Sequence, residues 1–122
     1  MDRRPLRVVR ADRPVTGGVR RVVATAEEAR RALQDEGWRV AVLDAGSRAE
    51  LFAQLQRALG RSGGANLDAL WDLLREVETP LALIWESWAE VAAADPGWFR
   101  RVLAVFEARG GEPGEPVVLV LL

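Results

Sequence analysis

Three short apolar runs, separated by segments with helix signals, constrain the fold of this chain most. They are residues 38–43, 80–85 and 117–121. Each run has the length and the apolar, β-branched composition that are typical of a buried strand. Strands that alternate with helices predict an α/β fold, in which a small, mainly parallel sheet is covered by helices.

The segments between these runs carry recognisable helix starts and stops. Capping-box patterns begin at Thr25, Ser47 and Ser87, and Asp95 precedes a proline as an N-cap residue does. The first two helices should end at Gly37 and Gly60, and the last before Gly110 and Gly111. The second helix should place Leu51, Phe52, Leu55 and Leu59 on one side, and the last should bury Phe99, Val102, Leu103 and Phe106.

The beginning of the chain predicts one more strand and an arm. Residues 18–24 can form a strand that joins the helix at 25–36 and the strand at 38 in a βαβ unit, with Arg20 and Arg21 at a sheet edge or end. Residues 1–17, rich in arginine and proline, are interpreted as a loose arm, and 18–122 as a single domain. The arm either contacts RNA or is a solvated tail or a clamp on the chain's own acidic surface. The second interpretation is favoured, because no aromatic platform accompanies the arginines.

Composition excludes several classes of function. The 122 residues include no cysteine, histidine or tyrosine, which removes thiol chemistry, Cys- or His-ligated metals and His-based catalysis. The total charge of −1 predicts no nucleic-acid binding by itself. No apolar run reaches the length of a membrane span, and the charged start lacks the apolar core of a signal peptide. We therefore expect a cytoplasmic protein without cofactor, bound metal or membrane contact.

Residues 66–74 form the most informative helix of the chain. Leu67, Leu70, Trp71 and Leu74 recur at helical spacing and make one apolar stripe, and Asn66 is a good N-cap. Asp68 and Asp72 lie four residues apart on the opposite face, and Glu76 extends that row. Carboxylates at this spacing repel each other, so the pair is unfavourable for the isolated helix. Residues 62–95 hold seven acids and a single arginine, which is either a solvated face or a surface that attracts basic partners.

The run Asn-Leu-Asp-Ala-Leu-Trp-Asp at 66–72 resembles the second-helix signature of the barstar family, small intracellular ribonuclease inhibitors. From about residue 37 onward, the order of elements is similar to the barstar fold. Pro80-Leu81 with Trp85 resembles that family's second strand, and Val105-Phe106 its last helix. The resemblance implies a barstar-like three-layer arrangement, here with an extra N-terminal strand–helix unit.

The resemblance also implies a mode of action without catalysis. In the family, the second helix and the loop before it block the basic active-site cleft of a ribonuclease, where carboxylates replace RNA phosphates. Asp68 and Asp72 match the two contact acids, Asn66 the residue that starts the helix, and Gly64 the glycine of the contact loop. The partner implied is a basic protein, a secreted or toxin ribonuclease, with no direct contact to nucleic acid.

Three positions depart from the family pattern. The family carries two tyrosines before the loop glycine, where this chain has Ser62 and Gly63, so an aromatic anchor is missing. A glutamate of the last helix is replaced by Ala108, with Glu107 one residue away and rotated by about 100°.

Three hypotheses follow. The first is a barstar-like inhibitor or immunity protein that acts through Asp68 and Asp72. The second is a barstar-fold interaction module for a different basic protein, as the missing tyrosines suggest. The third, less favoured, is a carboxylate- or metal-dependent hydrolase built on the same acids, for which only Glu76 is nearby as a further ligand.

The five tryptophans are interpreted mainly as core. Trp71 and Trp85 are expected in the core, whereas Trp38, Trp88 and Trp98 adjoin polar residues and could be half exposed.

Overall fold

Strands and helices alternate along residues 17–122, the part of the chain that the computed structural model describes. The predicted arm at 1–17 lies outside the described residues except for Gly17. The elements are β1 (Gly18–Arg21), α1 (Ala26–Asp35), β2 (Arg39–Leu43), α2 (Arg48–Leu59), α3 (Leu67–Arg75), β3 (Leu81–Trp85), α4 (Trp88–Ala94), α5 (Pro96–Gly110) and β4 (Val117–Leu121).

The four strands form one sheet in the order β1-β4-β3-β2, and every neighbouring pair is parallel. The predicted α/β class and parallel sheet are confirmed. The predicted βαβ unit is wrong in one respect, because β1 pairs with β4 at the far edge and not with β2. The all-apolar strands β3 and β4 are buried along their whole length and occupy the centre. The short strand with Arg20 and Arg21 is therefore left at an edge, where these side chains are exposed.

Residues alternate between the two faces of the central strands and so separate two apolar clusters. On one face, Leu81, Leu83 and Trp85 pack with residues of α2, α3, α4 and α5. On the other face, Ala82 and Ile84 join a cluster whose further buried members are Ala29, Leu33, Trp38, Val118 and Val120. Helices thus cover both faces of the sheet, as the three-layer prediction requires.

Most helix ends follow the predicted caps, although α5 includes Gly110, before which it was expected to end. Thr25 forms both halves of its capping box with Glu28, and Gly60 ends α2 in the left-handed region at φ 69°. Ser47 accepts from the Glu50 N–H at 3.2 Å, although the Glu50 carboxylate accepts from Gly46 and not from Ser47 N–H. The box predicted at Ser87 is wrong, because its backbone is not extended (φ −102°, ψ 28°) and its side chain makes no cap hydrogen bond.

The tryptophans are distributed differently from the prediction. Trp85 is fully buried as expected and donates its indole N–H to Ala45 O at 2.8 Å. Trp38 and Trp98 are also buried, 5% and 4% exposed, whereas Trp88 is half-buried. The core assignment of Trp71 is wrong, since Trp71 is half-buried and belongs to neither cluster.

Candidate functional site

Helix α3 presents one apolar and one acidic face. It begins at Asn66, whose Oδ1 accepts from the Ala69 N–H at 2.8 Å. Leu70, Leu73 and Leu74 are buried beneath it. With about 100° between successive residues, this buried arc is centred on Leu70, and Trp71 falls at its margin. Leu73 therefore takes the buried position that the sequence pattern gave to Trp71.

Asp68 and Asp72 lie on the face of α3 that points away from the core, and both are exposed. Within residues 17–122, neither carboxylate forms an ion pair or a hydrogen bond. Both negative charges are thus available to an incoming partner.

The loop at 61–65 is held against the end of α2 and the end of α3. Gln56 Nε2 donates to Gly63 O at 2.8 Å, and Arg61 N–H donates to Gln56 O at 3.1 Å. The Arg61 guanidinium forms an ion pair with Glu76, the residue that follows α3. Glu76 is consequently engaged within the chain, unlike the two aspartates, while Ser62, Gly63 and Gly64 are exposed.

The seven candidate residues line two adjoining surface grooves. A groove of about 220 Å³ between the loop and α3 contains Ser62, Gly63, Gly64, Asp72 and Glu76. Asn66 and Asp68 instead line a larger groove of about 660 Å³ at the start of α3. The structure therefore brings the loop together with one aspartate and places the other aspartate at the neighbouring groove.

Three residues beside Asp68 were missed by the sequence analysis. These are Arg48 at the start of α2 and Trp98 and Arg101 in the first two turns of α5, which line the larger groove together with Asp68. The Arg48 guanidinium lies 4.5 Å from the centre of the Trp98 ring, at cation–π distance. Capping patterns marked both helix starts, but no local pattern indicates that they converge on a third helix.

The last helix adds no carboxylate at the position that the resemblance assigned to one. Ala108 is exposed, and Glu107 is turned towards β1, since a Cβ atom at Gly18 would lie 3.1 Å from Glu107 Oε1. Arg75, in contrast, is exposed at the end of α3, on the face of the two aspartates.

The sequence model of one family, described as Barstar (barnase inhibitor), matches residues 36–121, well over half of the chain. The chain belongs to the barstar family. The match includes the loop and α3, whereas β1 and α1 lie before it. No curated protein gives a sequence match.

Two features are absent from residues 17–122 of this barstar-family chain. No group of three or more acidic, histidine or cysteine side chains there is placed to hold a metal ion. No helix in the same part of the chain is both long and apolar enough to cross a bilayer.

Proposed function

We propose that the protein inhibits a ribonuclease by covering its basic active-site cleft with the acidic face of α3 and the loop at 61–65. The observation that carries the proposal is the pair Asp68 and Asp72 on the helix that the barstar family resemblance assigns to binding. Both are exposed, and neither has a partner among residues 17–122. The family description names an inhibitor of the ribonuclease barnase, and we propose the same kind of activity for this chain.

Phosphate chemistry explains why carboxylates suit this purpose. A site that cleaves RNA needs cationic side chains around the scissile phosphate, and these side chains also accept carboxylates as ligands. Once water is excluded between the surfaces, charge-assisted hydrogen bonds from arginine or lysine to Asp68 and Asp72 become strong. The negative surface also attracts a basic partner from a distance, which makes association fast and sensitive to salt.

Repulsion between two carboxylates destabilises α3 in the free protein, and binding of a basic partner relieves it. Asp68 and Asp72 are four residues apart on one helix, and like charges at that spacing destabilise a helix by about 0.2–0.5 kcal/mol. A basic cleft placed against both carboxylates removes this repulsion. Asp68 by itself is favourable in the first turn of α3, but Asp72, further along the helix, adds repulsion without this benefit, so the pair supports a binding role.

The contact loop is already fixed in the free protein. The Gln56–Gly63 hydrogen bond and the Arg61–Glu76 ion pair hold Ser62, Gly63 and Gly64 beside Asp72. A loop that is ordered before binding loses less conformational entropy on association. Glu76 therefore acts by holding the loop through Arg61 and not as a third free acid.

Inhibition of RNA cleavage tests the proposal. The protein, the variant Asp72→Ala and the control Asp35→Ala are added to microbial ribonucleases with basic active sites. Asp35 is an exposed acid of α1, on the opposite side of the sheet from α3. We expect inhibition by the wild type and the control, and an inhibition constant at least about 30-fold higher for Asp72→Ala, the size of an interface hot spot. Equal inhibition by all three would place the binding surface elsewhere.

A second candidate function is an immunity module for a basic protein that is not a ribonuclease. It is favoured by Ser62 and Gly63, both exposed at positions where the family resemblance predicts tyrosines. Without a rigid aromatic anchor, the loop presents a smaller and more polar surface. A pull-down that returns a basic protein without ribonuclease activity on the wild type, but not on Asp72→Ala, would favour this second function.

Either role places the protein in the cytoplasm of the cell that makes the partner. There it would protect the cell from its own secreted or toxin protein before export.

A further inference from the structure

The two edges of the sheet differ in how they are protected from pairing with another strand. The edge strand β1 is short and carries two exposed arginines, Arg20 and Arg21. The edge strand β2 carries a charge only at its first residue, Arg39, and is otherwise apolar. Charged side chains normally prevent edge-to-edge association, so β2 is the unprotected edge.

The backbone of β2 leaves hydrogen-bonding groups free at this edge. Arg39 N–H donates to Pro80 O, and Leu43 O accepts from Glu86 N–H, both at 2.9 Å, so the odd-numbered residues of β2 face β3. In a parallel ladder, the residues between them direct N–H and C=O to the other side. Val40 and Val42 therefore direct these groups outward, and no residue of 17–122 bonds to them.

At the end of β2, the next outward-facing backbone N–H, that of Asp44, already has a partner within the chain. The backbone N–H of Asp44 donates to Gln54 Oε1 at 2.9 Å, and Gln54 Nε2 donates to Asp44 Oδ1 at 2.6 Å. The free stretch is therefore limited to Val40 and Val42, with Ala41 between them.

The side chains at the edge are as poorly covered as the backbone. The side chain of Val42 is 43% exposed, and within residues 17–122 the one other large apolar residue exposed to this extent is Val23, at 97%. A groove of about 370 Å³ runs beside the strand. It is lined by the apolar residues Ala41, Val42, Leu43 and Ala58 and by the polar residues Asp44, Gln54, Arg57 and Glu86.

We propose that β2 pairs with β2 of a second copy of this chain, antiparallel and about a two-fold axis at Ala41, to form one continuous eight-stranded sheet. In this register Val40 lies opposite Val42 of the partner subunit, and the reverse pair follows by symmetry. Both are hydrogen-bonded pairs, each of which exchanges two bonds, so all the free backbone groups of the two edges find a partner. A shift by two residues places Asp44 in the ladder, where its N–H is already used by Gln54.

Charge makes the edge complementary to itself. Arg39 begins β2 and Asp44 follows its last residue. In an antiparallel pair, Arg39 therefore approaches the end that carries Asp44 of the partner subunit, and the symmetry provides this contact twice. A second copy thus fits β2 better than an unrelated strand does.

The proposed dimer is independent of the proposed inhibition. The residues that line the β2 groove include neither aspartate of α3 and no residue of the loop at 61–65. Either proposal can consequently fail without the other.

Sedimentation equilibrium of the full chain tests the dimer over about three decades of concentration. We expect the mass to rise from 13.4 kDa towards twice that value. Val42→Lys places a charge inside each pairing edge and should raise the dissociation constant by about tenfold or more. Val23→Lys adds the same charge at an exposed site away from β2 and should leave the dissociation constant of the dimer unchanged. Circular dichroism establishes that both variants fold.

Two outcomes of this experiment overturn the proposal. One is a wild-type chain that stays monomeric over the whole concentration range. That result would overturn the dimer even if the edge pairs with a strand of another protein. The other is a dimer that Val42→Lys weakens no more than Val23→Lys does.

A cross-link tests the register. The chain contains no cysteine, so Ala41→Cys introduces a single thiol at the axis. A non-hydrogen-bonded antiparallel pair brings two Cα atoms to about 4.5 Å, within the range of a disulfide. We expect a disulfide-linked dimer under mild oxidation, at concentrations where Val23→Cys stays monomeric. Equal linking of the two variants, or none, would contradict the register.

Discussion

At the scale of single residues, Arg109 is the buried charge of the described part of the chain. Its side chain is 3% exposed, and its Nε donates to Leu74 O at 2.8 Å near the end of α3. Its Nη2 donates to Glu115 O at 2.8 Å, just before β4. A cation at a helix C-terminus is favourable, and this one also joins α5 to the helix that carries the acidic face.

Replacing Arg109 should therefore destabilise the whole protein. Arg109→Met keeps much of the side-chain volume but removes the hydrogen bonds to Leu74 O, which keeps only the Val77 N–H at 3.3 Å, and to the part-buried Glu115 O. The expected cost is about 1–3 kcal/mol in the free energy of unfolding. Arg100→Met, on the exposed side of the same helix, should stay within about 0.5 kcal/mol of wild type. Urea unfolding measures both, and equal losses for the two variants would show that the hydrogen bonds of Arg109 contribute nothing.

Single residues also show what the sequence could predict. The caps at Thr25, Asn66 and Asp95 were predicted correctly, because each bonds to an N–H three residues later in the chain. Arg109 was not identified, since its acceptor Leu74 O lies 35 residues away and no local pattern marks it.

At the scale of elements, α3 combines an unfavourable charge pair with a stable apolar face. Asp72→Ala removes the repulsion with Asp68 and introduces a better helix former, so it should raise the free energy of unfolding by about 0.3–1 kcal/mol. Urea or thermal unfolding measures this change. A loss of stability instead would mean that Asp72 serves the fold, and the argument for a binding role would weaken.

Helix α1 lies before the family match, yet it is part of the core. Leu33 is 6% exposed and belongs to the cluster on the second face of the sheet. Leu33→Ala should therefore reduce the free energy of unfolding by about 2–3 kcal/mol. Asp35→Ala, exposed two residues later, should be close to neutral. If Leu33→Ala were equally neutral, α1 would be an accessory to the sheet and not a layer of the fold.

Elements were easier to locate than to arrange. The strands Leu81–Trp85 and Val117–Leu121 were predicted almost to the residue, because short apolar runs between turn signals are recognisable locally. The place of β1 beside β4 was not predicted, because alternation of apolar residues does not specify which strands pair. The assignment of Trp71 to the core was wrong for a related reason, because helical spacing alone does not determine where the buried arc of a helix ends.

At the scale of the whole molecule, the fold places the acidic helix α3, the helix α1 and the β2 edge on different sides of the sheet. The first face of the sheet supports α3 and thus the two aspartates, while the second face is covered by α1. The β2 edge lies apart from both grooves of the candidate site. The family resemblance identified the acidic helix from sequence. The structure adds that Asp68 and Asp72 bond to no residue of 17–122, whereas Glu76 is engaged by Arg61.

The central claim is that the two aspartates of α3 bind a ribonuclease, and calorimetric titration into a catalytically inactive microbial ribonuclease measures this most directly. The wild type, the double variant Asp68→Ala/Asp72→Ala and the control Asp35→Ala are compared at low and high salt. We predict binding by the wild type and the control that weakens with salt, and at least about a 100-fold loss for the double variant. Binding of the double variant as tight as that of the wild type would contradict the account.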